Sequence, residues 1–354
     1  MMKASIKGLL FGLLSLAYSL LLGVCLAGLL APFLPITFLP EAQLMAAFLT
    51  FFLPLHLLFL WVALKRKATA WVLLGLLGLA SSLFTLSKDV NWNRESLQPQ
   101  SDELLKVVSF NVGTFDYDAQ RINEVADLLT ALDPDVVTFQ EFRNHKLGDG
   151  RPALDYMAKA LNMPHRHFVH LPVHIHGAAT FSRYPITQLD TLFMPTKEIN
   201  SGILTTLKTP LGKVGVGNLH LSSYHLAQTL DQNRGWQNRF GALRENGGKV
   251  LRLQQEKVDL VLRKTDSYPY PLVLTGDFNA PPHSRIATQF SRRYQDSFYE
   301  RGQGLGWTFH IWRKLGVRID YQYASPHLHI LDHQVVPTKS SDHYPLLVSY
   351  ELLP

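Results

Sequence analysis

The hydrophobic pattern changes character early in the chain. Residues 8–30 (GLLFGLLSLAYSLLLGVCLAGLL), 43–64 (QLMAAFLTFFLPLHLLFLWVAL) and 68–87 (ATAWVLLGLLGLASSLFTLS) contain no Asp, Glu, Lys or Arg. Each is about long enough to cross a hydrocarbon layer of about 30 Å at about 1.5 Å per residue. The pattern predicts an anchor over residues 1–87 with three transmembrane helices. Pro54 and His56 interrupt the second, as a kink and as a polar side chain packed against the other helices.

Residues 88–104 (KDVNWNRESLQPQSDEL) are polar and read as a linker. From 105 to 354 the pattern becomes one of short β-rich runs with amphipathic stretches between them. "LLKVVSFNV", "RINEVADLLTAL" and "PDVVTFQEF" come first; "GKVGVGNLHLSS", "YPLVLTGDFN" and "HYPLLVSYEL" come later. Strands recur at short spacing and outnumber helices, which predicts a sheet-rich α/β sandwich.

Lys and Arg in the short loops give an orientation. Lys3 and Lys7 precede the first apolar run and Lys65, Arg66 and Lys67 separate the second from the third, whereas residues 31–42 carry only Glu41. The positive-inside rule places the N-terminus and the 65–67 loop in the cytoplasm, so three crossings put everything after residue 88 outside. Residues 1–27 also resemble a cleavable signal peptide, which would leave that topology unchanged. The single cysteine, Cys25, lies in the first apolar run, so the exported part is stabilised by its own core without an internal disulfide.

Charge adds little. Of the net +6, four charges belong to residues 1–90, leaving 28 basic against 26 acidic residues in the rest. A surplus of two is weak support for nucleic-acid binding.

Several predicted strands end in an acid, amide or His where the apolar run stops. These are Asn111, Gln140 and Glu141, Asn218 and His220, Asp277 and Asn279, Asp320, and Asp342 with His343. A rigid sheet fixes geometry at such ends. Glu141, Asp277, Asp342, Asn111 and Asn279 offer hard oxygen ligands of the kind Mg²⁺ or Mn²⁺ takes. His220 and His343 can donate to anionic oxygens or exchange protons near neutral pH, and Asp320 can orient one of them. This set suits attack of water on a phosphate ester. Taken singly, each residue reads as an ordinary turn or strand end; order and spacing together carry the argument.

Asn111, "QE" at 140–141, "FSRYPI" at 181–186, "NLHL" at 218–221, "GDFN" at 276–279, "RIDY" at 318–321 and "SDHYP" at 341–345 resemble the endonuclease/exonuclease/phosphatase superfamily. The resemblance spans residues 105–353 and is closest in kind to membrane-anchored bacterial members of the Bacteroidetes type. It implies a DNase I-like four-layer α/β sandwich, two packed mixed β-sheets flanked by helices. It also implies that Asn111 and Glu141 hold the metal and that Asp342 ligates or organises that region. Asp277 would orient or deprotonate the attacking water, and Asn279 would contact the scissile phosphate. His220 would touch the phosphate, and Asp320 would pair with His343.

The implied function is a Mg²⁺- or Mn²⁺-dependent phosphodiesterase at the bacterial inner membrane, with its catalytic domain periplasmic. It would be nuclease-like or a phospholipid or sphingomyelin head-group hydrolase. Its partners would be a phosphodiester substrate and the lipid bilayer, with no protein partner implied. The alternative is a catalytically inactive, membrane-tethered binding or scaffold protein of the same fold. Nuclease-like members have a carboxylate partner for the His at position 220, for which Asp149 and Asp155 are the candidates. The run "HRHFVHLPVHIHG" (165–177) matches no motif of the family and reads as solvated or structural. The basic and aromatic insert 223–249, with Arg234, Trp236, Arg239, Phe240 and Arg244, is the candidate specificity element.

Overall fold

The computed structural model describes residues 2–34, 42, 46–92, 97–101, 103–169, 176–194, 200–223, 236–312 and 315–352. Two compact units divide the chain. One comprises Met1–Asp89, Leu226–Leu251 and Pro281–Thr288; the other comprises Val90–His225, Arg252–Ala280 and Gln289–Pro354.

In the first unit the apolar runs form helices α1 (Met2–Leu30), α2 (Leu53–Lys65) and α3 (Thr69–Asp89). Two stretches, Ile6–Leu30 and Thr69–Asp89, are long and apolar enough to cross a membrane. The second expected span, 43–64, differs from the other two. Its first part winds as a 3₁₀ helix over Ala46–Phe52, and α2 starts afresh at Leu53 with Pro54 in its first turn. Proline has no N–H to donate to the preceding turn and is tolerated only at the start of an α-helix, so the helix restarts there.

Polar groups occupy the inside of this unit. His56 is buried, its Nδ1 2.8 Å from the Tyr18 hydroxyl and its Nε2 3.6 Å from Cys25 Sγ. Ser82 donates to the Leu49 carbonyl. Gly78 makes room for the His56–Tyr18 pair, since a Cβ there would collide with both side chains. Large apolar side chains face outward instead, among them Leu9, Leu13, Leu20, Trp61 and Leu73.

The second unit holds two six-stranded sheets. The first contains β1 (Leu105–Asn111), β2 (Val136–Arg143), β3 (His165–Phe168), β4 (His176–Ser182), β11 (Leu328–Val335) and β12 (Leu346–Leu352). Between these in the chain lie β5 (Ile186–Phe193), β6 (Gly202–Thr209), β7 (Gly212–His220), β8 (Leu272–Asp277), β9 (Gln295–Asp296) and β10 (Asp320–Ala324), which build the second sheet. The orders are β11-β12-β1-β2-β4-β3 and β9-β10-β8-β7-β6-β5. Each sheet has one central parallel pair, β1 with β2 and β7 with β8, and antiparallel neighbours around it.

Alternation along the strands explains the layers. Val108 and Phe110 point to a core shared with the helices Ala119–Leu132 and Ala153–Ala160, while Leu105 and Val107 face Val216, Val273 and Ala324 between the sheets. The first of these helices is stopped at both ends by local chemistry. The Asp118 carboxylate accepts from Gln120 N–H, and Asp133 adopts a left-handed conformation just before Pro134. This is the two-sheet sandwich flanked by helices that the resemblance implied.

Near one end of the sandwich the interior turns polar. Thr138 and Thr275 hydroxyls lie 2.7 Å apart across the sheets, and Gln140 donates to Asn218 at 2.8 Å. Gln322 donates to the Val107 and Leu346 carbonyls and accepts from Tyr350. These bonds between buried side chains lock the sheets in one register. The segment expected as a linker is tied to the second unit at several points. Val90–Asn91 pairs with Gly304–Leu305, Leu97 N–H donates to Leu331, and Gln100 N–H donates to Glu351.

Candidate active site

The two parallel pairs end at the same place. Asn111 closes β1 opposite Gln140 on β2, and His220 closes β7 opposite Asp277 on β8. Asp277 is also directly opposite Asp320 on β10, so His220, Asp277 and Asp320 form one row across three strands. Gly276 allows this close pairing. Its φ is +136°, and any Cβ would run into the Leu219 carbonyl.

Glu141 reaches the row from the other sheet by a break in strand regularity. The pairing of β2 with β4 shifts between Phe139 and Phe142, and Glu141 has φ +53°, a left-handed value uncommon for a side chain of this kind. The bulge re-aims its carboxylate, which is 26% exposed, toward His220 at 3.6 Å. Asn111 Nδ2 bridges the sheets, 3.4 Å from Glu141 Oε1 and 3.1 Å from Asp277 Oδ2.

Asp277 Oδ2 is the centre of the arrangement. It receives the Asn111 amide and lies 3.8 Å from both His220 Nε2 and His343 Nε2. Its other oxygen accepts the Asn279 backbone N–H at 2.8 Å. Burial, reinforced by the Asp320 charge opposite, pushes the Asp277 carboxyl up to about 8, against the opposing influence of His343. His343 is held from behind, Nδ1 2.9 Å from Asp320 Oδ2. Burial alone would lower this imidazole, but the Asp320 charge and hydrogen bond, helped by Asp277 and Asp342, carry it up to about 10.

Asn279 has φ +48° and donates its side-chain amide to the Leu221 carbonyl. Asp342 is exposed, and its hydrogen-bond partner is Ser341 Oγ at 3.3 Å. No hydrogen bond or ion pair joins it to Glu141 among the described residues. Seven of the eight expected residues therefore meet around Asp277, while Asp342 stands at the rim. Asp149 and Asp155 are paired elsewhere, with Arg151 and Arg166, and among the described residues Glu141 and Asp277 lie within ion-pair distance of His220, at 3.6 and 3.8 Å. In the His-rich run, 170–175 lie outside the described residues, as do 224–235 of the insert.

Other contributors carried little signal in the sequence. Thr308 Oγ1 accepts from the Ile319 and Asp320 N–H groups, the Phe309 ring lies 4.8 Å from the His343 ring, and Ser341 Oγ donates to the Asn111 carbonyl. Gln140 and Asn218 were visible as polar strand ends, and their role is to cross-link the sheets beneath the site.

Asp277, Asp320 and His343 each offer an atom within 4.8 Å of the others. Asp320 and His343 are already bonded to each other. Glu141 and Asp277 supply carboxylate oxygens of the hard type, and Glu141 keeps access to solvent; Asn111 turns its amide nitrogen toward both, its own oxygen accepting the Gly113 N–H. That donor set fits a divalent cation of the Mg²⁺ class.

Comparison with known proteins agrees with this geometry. The model of the Endonuclease/Exonuclease/phosphatase family matches residues 108–343. No curated protein matches the chain. Among solved structures, a family protein from Bacteroides thetaiotaomicron is 19% identical, with TM-score 0.52, covering 71% of this chain and 98% of its own. One from Bacteroides vulgatus is 16% identical, with TM-score 0.53 and coverage of 71% and 99%. A humanized D. rerio TDP2 is 14% identical, with TM-score 0.53 and coverage of 70% and 99%. These likenesses carry the fold, and the match over residues 108–343 carries the family: the chain belongs to the endonuclease/exonuclease/phosphatase family.

Proposed function

We propose that this protein is a divalent-metal-dependent phosphodiesterase, tethered to the bacterial inner membrane with its catalytic domain on the extracytoplasmic side. The observation that supports the activity best is the convergence of Asn111, His220 and His343 on one buried oxygen of Asp277. Glu141 would hold Mg²⁺ or Mn²⁺, joined by Asn111 once its amide turns to present the oxygen that now accepts from Gly113, with Asp342 organising the rim. When bound, such an ion neutralises charge that develops on the phosphoryl oxygens.

The side chains divide the remaining work. Asp277, whose proton affinity burial has raised, orients the attacking water and takes its proton. His343, kept charged and aimed by Asp320, donates to a phosphate oxygen through Nε2. His220 donates to the same group from the opposite side. Asn279 spends one amide hydrogen on Leu221 and has the second for the phosphate. Hydrolysis yields a phosphate monoester and an alcohol, and the substrate is a nucleic acid or a phospholipid head group.

The anchor reading rests on the first unit, which exposes leucines over half their surface while burying His56 and Ser82. The 3₁₀ helix and α2 together extend roughly 33 Å, because the tighter helix rises about 2.0 Å per residue, so a third crossing is long enough. With Lys3, Lys7 and residues 65–67 inside, three crossings leave the sandwich outside.

The full chain in detergent should hydrolyse bis(p-nitrophenyl) phosphate with Mg²⁺ or Mn²⁺ and stop on EDTA addition. Absence of turnover with any divalent metal would sink the enzyme reading in favour of a binding or scaffold protein. Parallel turnover of plasmid DNA and sphingomyelin separates the substrate classes. An alkaline-phosphatase fusion after residue 100 should be active, and a silent one overturns the outward placement.

A further inference from the structure

One side chain breaks the pattern of the helix Trp236–Thr265. Along its later part Val258, Val261, Leu262 and Thr265 are buried, at the three- and four-residue steps of an inward helix face. Gln254 lies four residues before Val258 on that same face and is 0% exposed. An amide in such a place is costly unless its hydrogens find acceptors.

Both hydrogens find them, on two different loops of the candidate active site. Gln254 Nε2 donates to the Ser222 carbonyl at 2.6 Å and to the Asn279 carbonyl at 3.2 Å. Ser222 comes two residues after His220, and Asn279 two residues after Asp277. Where the parallel pairing of β7 with β8 runs out, Leu221 N–H donates to the Asp277 carbonyl, and the Asn279 side chain donates to the Leu221 carbonyl at 2.9 Å. Gln254 continues this stitching beyond the sheet. One turn along the helix, Lys257 Nζ reaches the Ser222 hydroxyl at 2.6 Å and holds the same loop.

Asn279 needs such support. Its φ of +48° is a left-handed value that a residue other than glycine keeps only where its surroundings over-determine it. The Asp277 carboxylate holds its N–H, the Leu221 carbonyl holds its side-chain amide, and Gln254 holds its carbonyl.

We propose that Gln254 is a positioning residue that sets the spacing between His220 and Asn279, two of the side chains assigned to the phosphate. This role rests on the phosphodiesterase reading and adds to it a group that acts only through the backbone of its neighbours. One nitrogen carries both hydrogens, so neither loop can shift without lengthening a bond that also restrains the other. Methionine would fill the space and hold neither carbonyl, and glutamate would turn oxygen against oxygen.

The test is a double-mutant cycle on the full chain in detergent, with bis(p-nitrophenyl) phosphate and Mn²⁺. Gln254→Met should lower kcat about tenfold or more and move KM less than about twofold, because misplaced phosphate donors are felt in the transition state. In the Asn279→Ala background the same change should cost about threefold at most, since one of the groups it positions is gone. Gln255→Met, which loses a bond to Asp259 on the same helix, should leave kcat unchanged. If Gln254→Met does not fold, Gln254→Asn takes its place in the cycle, with both donors on a shorter stem and coupling to Asn279 of the same sign expected. Given wild-type turnover, the role is overturned by an unchanged kcat, by a loss carried in KM alone, by an equal loss in Gln255→Met, or by a loss as large beside Asn279→Ala as without it. Absence of wild-type turnover removes the phosphodiesterase reading and this role with it.

Discussion

The helical unit and the sandwich use the same residue types in opposite ways. In the first, Leu9, Leu13 and Leu20 are 65%, 57% and 67% exposed while His56 and Ser82 are fully buried. In the second, Val107, Val136, Val216 and Val273 are fully buried, and polar groups gather at one end of the strands. The difference teaches that burial follows the surrounding solvent. In the anchor proposed above, a hydrocarbon exterior would give apolar side chains no reason to hide and would leave small and polar residues to mediate helix packing. Water drives valines between the sheets and leaves strand ends free for chemistry.

The sharpest separation of the two units should come from Asp277→Ala. Hydrolysis of bis(p-nitrophenyl) phosphate is expected to fall by about a thousandfold or more, with thermal unfolding of the helical unit unchanged. A shared loss of both would break the division. Asp320→Asn should lower turnover on the order of a hundredfold while leaving the fold intact, because the amide can hold His343 but cannot sustain its charge. A steady-state assay across pH should show the high-pH limb moving down.

In the other unit, Gly78→Leu forces a side chain into the Tyr18–His56 pair and should cost about 1–3 kcal/mol, read by thermal unfolding in detergent. Turnover of the soluble diester per folded molecule should stay at the wild-type value; a parallel loss would mean that the two units are not independent. The smallest effect is one of acidity. His333 has a folded value near 3, lowered by burial and Arg318, against about 6.5 when unfolded. The neutral form belongs to the fold, so its stabilising contribution is complete above pH about 6.5 and is lost as pH falls toward 3. The slope is roughly 1 kcal/mol per pH unit. Unfolding curves at pH 6.5 and 5.5 should converge for His333→Gln relative to wild type.

Much of the site was legible because its residues flank apolar runs. Asn111, Glu141, His220 and Asp277 lie at or near the ends of β-rich runs, Asp320 and His343 lie at or just before the start of one, and a motif can be read one strand at a time. Asp342 was legible as part of "SDHYP" but not as a rim residue, because its exposure depends on Ser341 and on the turn at Gly113. Thr308 and Phe309 were invisible, since a threonine and a phenylalanine in an aromatic run have no pattern that marks them as supports for Asp320 and His343. The second apolar run was not legible as a 3₁₀ segment followed by a shorter α-helix, for a local reason: composition counted its length, while Pro54 decided where α-helical hydrogen bonding could begin.

By itself the sequence determined the lengths of the apolar runs, the alternation of the strands and the order of the polar strand ends. These are local properties, written in neighbouring residues. Only the tertiary structure decided that Asn111 and Asp277, 166 residues apart, share a hydrogen bond, and that a left-handed Glu141 turns its carboxylate toward His220. It also decided that a cavity lined by His310 and Tyr344 lies beside the strand pairing of Phe309 with His343. The reason is that sheet pairing is non-local. Register across strands is set by the packing of both faces at once, and no segment carries that information alone.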